Sequence, residues 1–195
     1  MLKNSRLNRI LAFLAIGVFF SLIATMFFLR LEIEDVWFHI KIGEQIVKHG
    51  VLPFYDTFSY TSSNIRWLAT QWLGEVILFF TYNSFGLVGL QLFRCLYFTA
   101  VLLLLFFFIR RTLSISSAFL IIIPVSFIFA QRYFSRPFIF NILFVLLYLY
   151  ILTSHHRDPF KKVVLAIPFL HFIWQNIYIG GAYISLFLLA VFLAG

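Results

Sequence analysis

The sequence predicts an all-α fold, a polytopic transmembrane helical bundle with one long outer loop, and three observations carry that prediction. Of the 195 residues 63% are apolar and only 11% are charged, whereas an ordinary soluble domain carries about 25% charged residues. With a mean hydropathy of +0.99, the chain has more apolar surface than a soluble core can bury. The apolar residues fall in span-length runs separated by basic clusters. Five of the seven acids (Glu32, Glu34, Asp35, Glu44 and Asp56) lie in one polar segment. The net charge of +8 is dispersed among the apolar runs rather than gathered on a polar face. It therefore fits an inward bias of cations flanking membrane spans and argues against a nucleic-acid partner. Cys95 is the only cysteine, which excludes an intramolecular disulfide.

Lys3, Arg6 and Arg9 precede an unbroken apolar run from Ile10 to Leu29. A run of 20 residues exceeds the roughly 7 to 15 of a signal-peptide core, and no small-residue cleavage site follows. Residues 10–29 are read as a retained first span with its N-terminus in the cytoplasm. Residues 30–71 form the outer loop. Within it, Asp35 to His49 reads as a helix with Asp35 as N-cap and Gly50 as stop signal. Val36, Phe38, Ile40, Ile42, Ile46 and Val47 share one side and Lys41, Glu44, Gln45 and Lys48 the other, the pattern of a helix on a membrane surface with Trp37 as anchor.

The run from Trp72 to Ile109 is too long for one span and is divided at Asn83-Ser84-Phe85-Gly86. Residues 72–82 make a helix of only about 16 Å, short of the roughly 30 Å hydrocarbon core, so a second interfacial helix is expected. Further spans follow at 87–109, 115–130, 138–152 and 163–176, with a partial one at 182–195. The alternation places eight cations and one acid inside, and seven cations and six acids outside or in the membrane.

Chemistry is expected in the outer loop. Glu34 and Asp35 come directly after the first span, and Asp35 and His39 lie four apart on one helical face. A carboxylate there suits a general base on an acceptor hydroxyl, or a cation ligand; the structural alternative is a helix cap. Arg94 stands inside an apolar run, where an arginine costs about 2.5 to 3.5 kcal/mol, so a lipid phosphate, an acidic partner or snorkelling toward headgroups must offset it. Arg132 and Arg136 flank a short outer turn, where guanidinium groups suit phosphate or act as snorkelling helix ends. His155-His156 reads as a solvated loop rather than a metal pair, since adjacent residues point apart. Gly180-Gly181 lacks the context of a phosphate loop.

The loop string Asp35-Val-Trp37-Phe-His39-Ile-Lys-Ile-Gly43, with His49-Gly50, Pro53, Asp56-Thr-Phe58-Ser59-Tyr60-Thr61 and then Trp72-Leu73-Gly-Glu75-Val76, resembles the first outer loop of bacterial polytopic GT-C-type glycosyltransferase-like proteins. Their pattern runs D-x-W-W-H-x-x-x-G, then G-x-x-P-x-x-D-x-F-S-Y-T, then W-L-x-E-V. Gly86-Leu-Val-Gly89 with Arg94, Arg136-Pro137, and Trp174-Gln-Asn176-Ile-Tyr178 also look like family positions, with Tyr178 standing where a histidine is usual. The resemblance implies transfer of a sugar, with inversion, from a polyprenyl-phosphate carrier to an acceptor at the outer face of the bacterial cytoplasmic membrane. Carried over, the reaction-centre acid is Asp35, with Glu34 and His39 beside it; Arg94, Arg132 and Arg136 become candidates for the carrier phosphate. Glu34-Asp35 is not a D-x-D, so no metal cofactor is implied. Relatives of this architecture have more spans, and the final apolar stretch is too short to cross, so a partial module is expected. Two other readings stay open: a non-catalytic membrane protein that binds a lipid carrier or scaffolds a partner, and a small transporter.

Overall fold

The computed structural model describes residues 17, 19, 21, 35–56, 58, 60, 65–131, 137–157 and 162–194. Most of the expected first span lies outside the described residues, as do Glu34, Arg132 and Arg136. Among the described residues the fold is all-α, with six α-helices and no sheet: α1 Val36–His49, α2 Trp72–Ile109, α3 Ile115–Gln131, α4 Phe140–Arg157, α5 Ile167–Ile177 and α6 Gly181–Ala194. Short 3-10 helices, Pro137–Ile139 and Lys162–Ala166, precede α4 and α5. By length and apolarity two stretches could cross a membrane, Trp72–Ile109 and Pro137–His156.

The chain divides into two compact units, one of Met1–Leu31 with Gln91–Tyr133, the other of Glu32–Leu90 with Phe134–Gly195. In the first, the end of α2 packs on α3. Phe98, Val101, Leu102 and Phe106 are buried with Ala118 and Ile122, and the Phe119 ring meets Phe106 at 5.6 Å and Phe19 at 5.1 Å. Pro124 lies within α3, where it withholds one helical donor. Arg94 belongs to this unit and is only 1% exposed.

The second unit holds α1, the loop, the start of α2 and everything from Pro137 on. Gly50 ends α1 in the left-handed conformation, and its N–H returns to the Ile46 carbonyl at 2.9 Å. Asp35 occupies the N-cap position but makes no side-chain capping bond; the first turn closes through His39 N–H to the Asp35 carbonyl at 3.4 Å. The buried stripe of α1 differs from the apolar side read from the sequence. Val36, His39, Ile40, Ile42 and Gly43 are buried, whereas Phe38 and Val47 are more than 40% exposed. Gly43 is the reason: a Cβ there would lie 2.7 Å from the Glu75 carbonyl carbon and 2.8 Å from Phe79 Cβ. The bare glycine lets α1 meet α2 backbone to side, and the contact turns onto positions 36, 39, 40 and 43, the spacing of one helical face.

Lys41 and Lys48 both bind Glu44 on the opposite side of α1, each at 2.7 Å. These hydrogen bonds hold the Glu44 carboxyl down from 4.5 to about 2. Because the folded value lies below the unfolded one, the contribution is whole above pH 4.5 and disappears as pH falls toward 2; exposure keeps it small. Glu44→Gln should therefore unfold slightly earlier than wild type at neutral pH. Thermal scans of the two proteins should converge on acidification, and a gap that persists at pH 2 would refute the ion-pair origin.

Within α2, Gly86 has φ 61 and ψ −150, a backbone region open essentially to glycine alone. The non-helical residue falls in the Asn83–Gly86 segment at which the sequence divides this run. Two later elements depart from expectation. Helix α4 continues through Ser154, His155 and His156 to Arg157, beyond the polar boundary, because none of these residues breaks a helix and Pro159 is the first that does. Helix α5 is shorter than the expected 163–176: Lys162–Ala166 winds as 3-10 helix and Pro168 sits in the first α-helical turn.

Candidate functional site

The second unit draws four separate segments of sequence into contact, and a buried acid–base pair stands where α1 meets α2. His39 Nδ1 lies 3.0 Å from Glu75 Oε1, with side chains 10% and 2% exposed. The two residues are 36 positions apart. A carboxylate oxygen only accepts, so the imidazole Nδ1–H donates. The other carboxylate oxygen, Glu75 Oε2, is buried and has no hydrogen-bond partner among the described residues. A buried polar atom left so costs about 1–3 kcal/mol, more when charged. Apolar side chains at both positions would pack without that penalty.

The remaining contacts fix the start of α2. The Trp72 indole N–H donates to Asn176 Oδ1 at 2.8 Å, and Asn176 Nδ2 donates to the Phe172 carbonyl at 2.7 Å. Gly74 fits between Pro137 and the end of α5: a Cβ would lie 2.7 Å from Pro137 Cβ and 3.1 Å from the Ile177 carbonyl oxygen. Trp174 is fully buried. Its ring stacks on Phe144 at 5.4 Å, and its N–H donates to Asn141 Oδ1 at 2.6 Å. The Tyr178 ring meets Phe138 edge-on at 5.4 Å. His171 contacts Gln175 and also pairs through Nδ1 with the Ser185 hydroxyl at 2.8 Å.

The loop is pinned to α1 from outside. Asp56 N–H donates to the Ile65 carbonyl and Trp67 N–H to the Phe54 carbonyl, both at 2.9 Å. Asp56 Oδ1 accepts from Phe58 N–H at 2.8 Å, a local turn suited to aspartate. The Phe38 ring meets Phe58 at 5.4 Å and Trp67 at 6.1 Å. Phe54, Arg66, Trp67 and Leu68 line an open depression of about 350 Å³.

Of the residues proposed from sequence, Asp35 is half-buried at the head of α1, and His39 lies one turn further on the same helix. Arg94 lies in the other unit; Glu34, Arg132 and Arg136 lie outside the described residues. No group of three or more His, Cys, Asp or Glu side chains that could hold a metal ion occurs among the described residues. Sequence reasoning placed Glu75 in the W-L-x-E-V pattern but gave it no role. Its signal was present, a single acid in the 38 residues of α2, but nothing in the spacing connects it with His39. Compared with known proteins, the chain matches no family model, no curated protein and no solved structure.

Proposed function

We propose that this chain is a membrane glycosyltransferase-like protein of GT-C type, which moves a sugar from a polyprenyl-phosphate carrier to an acceptor at the outer membrane face. One observation carries the reading. Several positions of the GT-C-like sequence pattern, scattered from 39 to 176, touch one another: His39 binds Glu75, Gly43 seats the Glu75 backbone, and Trp72 binds Asn176. Residues that merely filled an apolar bundle would have no reason to coincide with that pattern. The two long apolar helices fit a bilayer setting, as do the many outward-facing side chains such as Leu96, Leu120 and Phe172. In this reading Asp35, at the head of α1, is the reaction-centre acid, with Glu34 and His39 adjacent in sequence or helix turn. Arg94, Arg132 and Arg136 take the carrier phosphate through charge-assisted hydrogen bonds.

The test is transfer of labelled sugar from polyprenyl-phosphate donors by the full chain in lipid. Asp35→Asn should lower the rate by about 100-fold or more. An unchanged rate would remove Asp35 from the reaction centre. Carrier binding without any turnover in the wild-type protein would favour the non-catalytic, carrier-binding reading instead.

A further inference from the structure

In the buried His39–Glu75 pair, the transferred pattern sets His39 beside the reaction centre and leaves Glu75 without a task. Both side chains are buried, they meet at 3.0 Å, and the α1–α2 contact that joins them requires a residue without a side chain at position 43. With Nδ1 of His39 directed at the Glu75 carboxylate, Nε2 is the ring nitrogen left to accept a proton. About a tenth of the His39 side chain stays exposed. Glu75 itself has Oε2 unpartnered, an arrangement that packing alone would not favour.

We infer that Glu75 is a positioning residue which fixes the His39 ring so that Nε2 takes the proton of a hydroxyl-bearing acceptor. The inference rests on the glycosyl-transfer reading above and divides the labour within it. The acceptor oxygen forms its bond to the anomeric carbon while the bond from that carbon to the carrier's phosphate oxygen breaks, and the electron pair leaves on the phosphate. The acceptor proton passes to His39 Nε2. Glu75 stabilises the resulting imidazolium through the Nδ1–H bond, as a buried carboxylate does behind a catalytic histidine. Asp35 then keeps its negative charge as the counter-charge to the oxocarbenium character of the sugar. The acceptor class follows, because a bare imidazole nitrogen suits a hydroxyl and repels a carboxylate or phosphate nucleophile.

The experiment uses the full chain in lipid nanodiscs and two readouts, sugar transfer and the nitrogen-15 spectrum of labelled histidine, with His39→Gln giving the assignment. Wild-type His39 should show one tautomer, protonated at Nδ1. Glu75→Gln keeps an acceptor oxygen and should keep that tautomer while kcat falls about 10-fold at constant donor KM; Glu75→Leu should mix the tautomers and cost about 100-fold. A Glu75→Leu or Glu75→Gln protein that transfers sugar at the wild-type rate overturns the inference, and so does an Nε2-protonated ring in the wild type. Should Glu75→Leu fail to fold, the Glu75→Gln rate and spectrum decide alone. Absence of transfer in the wild type overturns the reaction itself and the base role with it, an outcome distinct from a normal wild type with indifferent Glu75 variants.

Discussion

Gly43→Val is expected to disrupt the packing of α1 on the start of α2. The added Cβ would press on the Glu75 carbonyl group and on Phe79 Cβ. The first of these is helix backbone and cannot swing away as a flexible side chain would. Even one added methyl in such a contact forces backbone shifts worth about 1–3 kcal/mol, and valine adds two more carbons with a stiff χ1. Gly43→Ala should lose roughly 1–3 kcal/mol and Gly43→Val more, read as lowered unfolding midpoints in detergent. Gly17→Ala is the control, because nothing lies within 4 Å of the position its Cβ would take. If Gly43→Ala proved as stable as Gly17→Ala, the close approach of α1 and α2 would be wrong.

Trp174→Ala should have an effect of similar size. The side chain is fully buried, stacks on Phe144, meets Tyr148 at 5.3 Å and hydrogen-bonds Asn141. Truncating such a residue typically costs about 3–5 kcal/mol through lost transfer energy and the cavity left behind. The surroundings have little room to collapse, since Gly181 already rests against the indole: a Cβ there would lie 2.7 Å from Trp174 Cε2. Trp174→Phe separates the two contributions. It keeps a ring against Phe144 but leaves Asn141 Oδ1 without its donor, beside an Nδ2 that is already buried without a partner. That variant should lose about 1–3 kcal/mol. Equal midpoints for Trp174→Phe and wild type would assign the whole effect to packing.

Local features of this fold were readable from the sequence and long-range ones were not. Gly50 after an apolar-periodic segment marked the end of α1, and Asn83 to Gly86 marked the interruption in α2, because glycine's permitted backbone conformations act within a residue or two. The stretch 115–130 corresponds to α3, bounded by polar residues at both ends. Helix α4 overran its expected end because Ser154 to His156 are polar without being helix breakers, and hydropathy records polarity rather than backbone geometry. The 3-10 winding before α5 was invisible for the converse reason, since Val163, Val164 and Leu165 are apolar in either winding. Asp35 and His39 could be linked from sequence because they share one helix turn. The contact of His39 with Glu75 was not legible, because the two are 36 residues apart and meet where Gly43 lets the helices approach. The face of α1 was misassigned for the same reason: a glycine carries no hydropathy signal, yet it sets which side of the helix approaches its neighbour.

The unpartnered oxygen of Glu75 also bears on how this protein would evolve or be engineered. Replacing a buried ionic pair with well-packed apolar residues is often neutral or stabilising, whereas removing one member alone is costly. Positions 39 and 75 are therefore separated from a sturdier apolar pairing by an unfavourable single-mutant step. Selection for durability alone would reward crossing that step and would erase the pair. A library ranked only by heat resistance would thus be drawn toward sequences with apolar side chains at both positions.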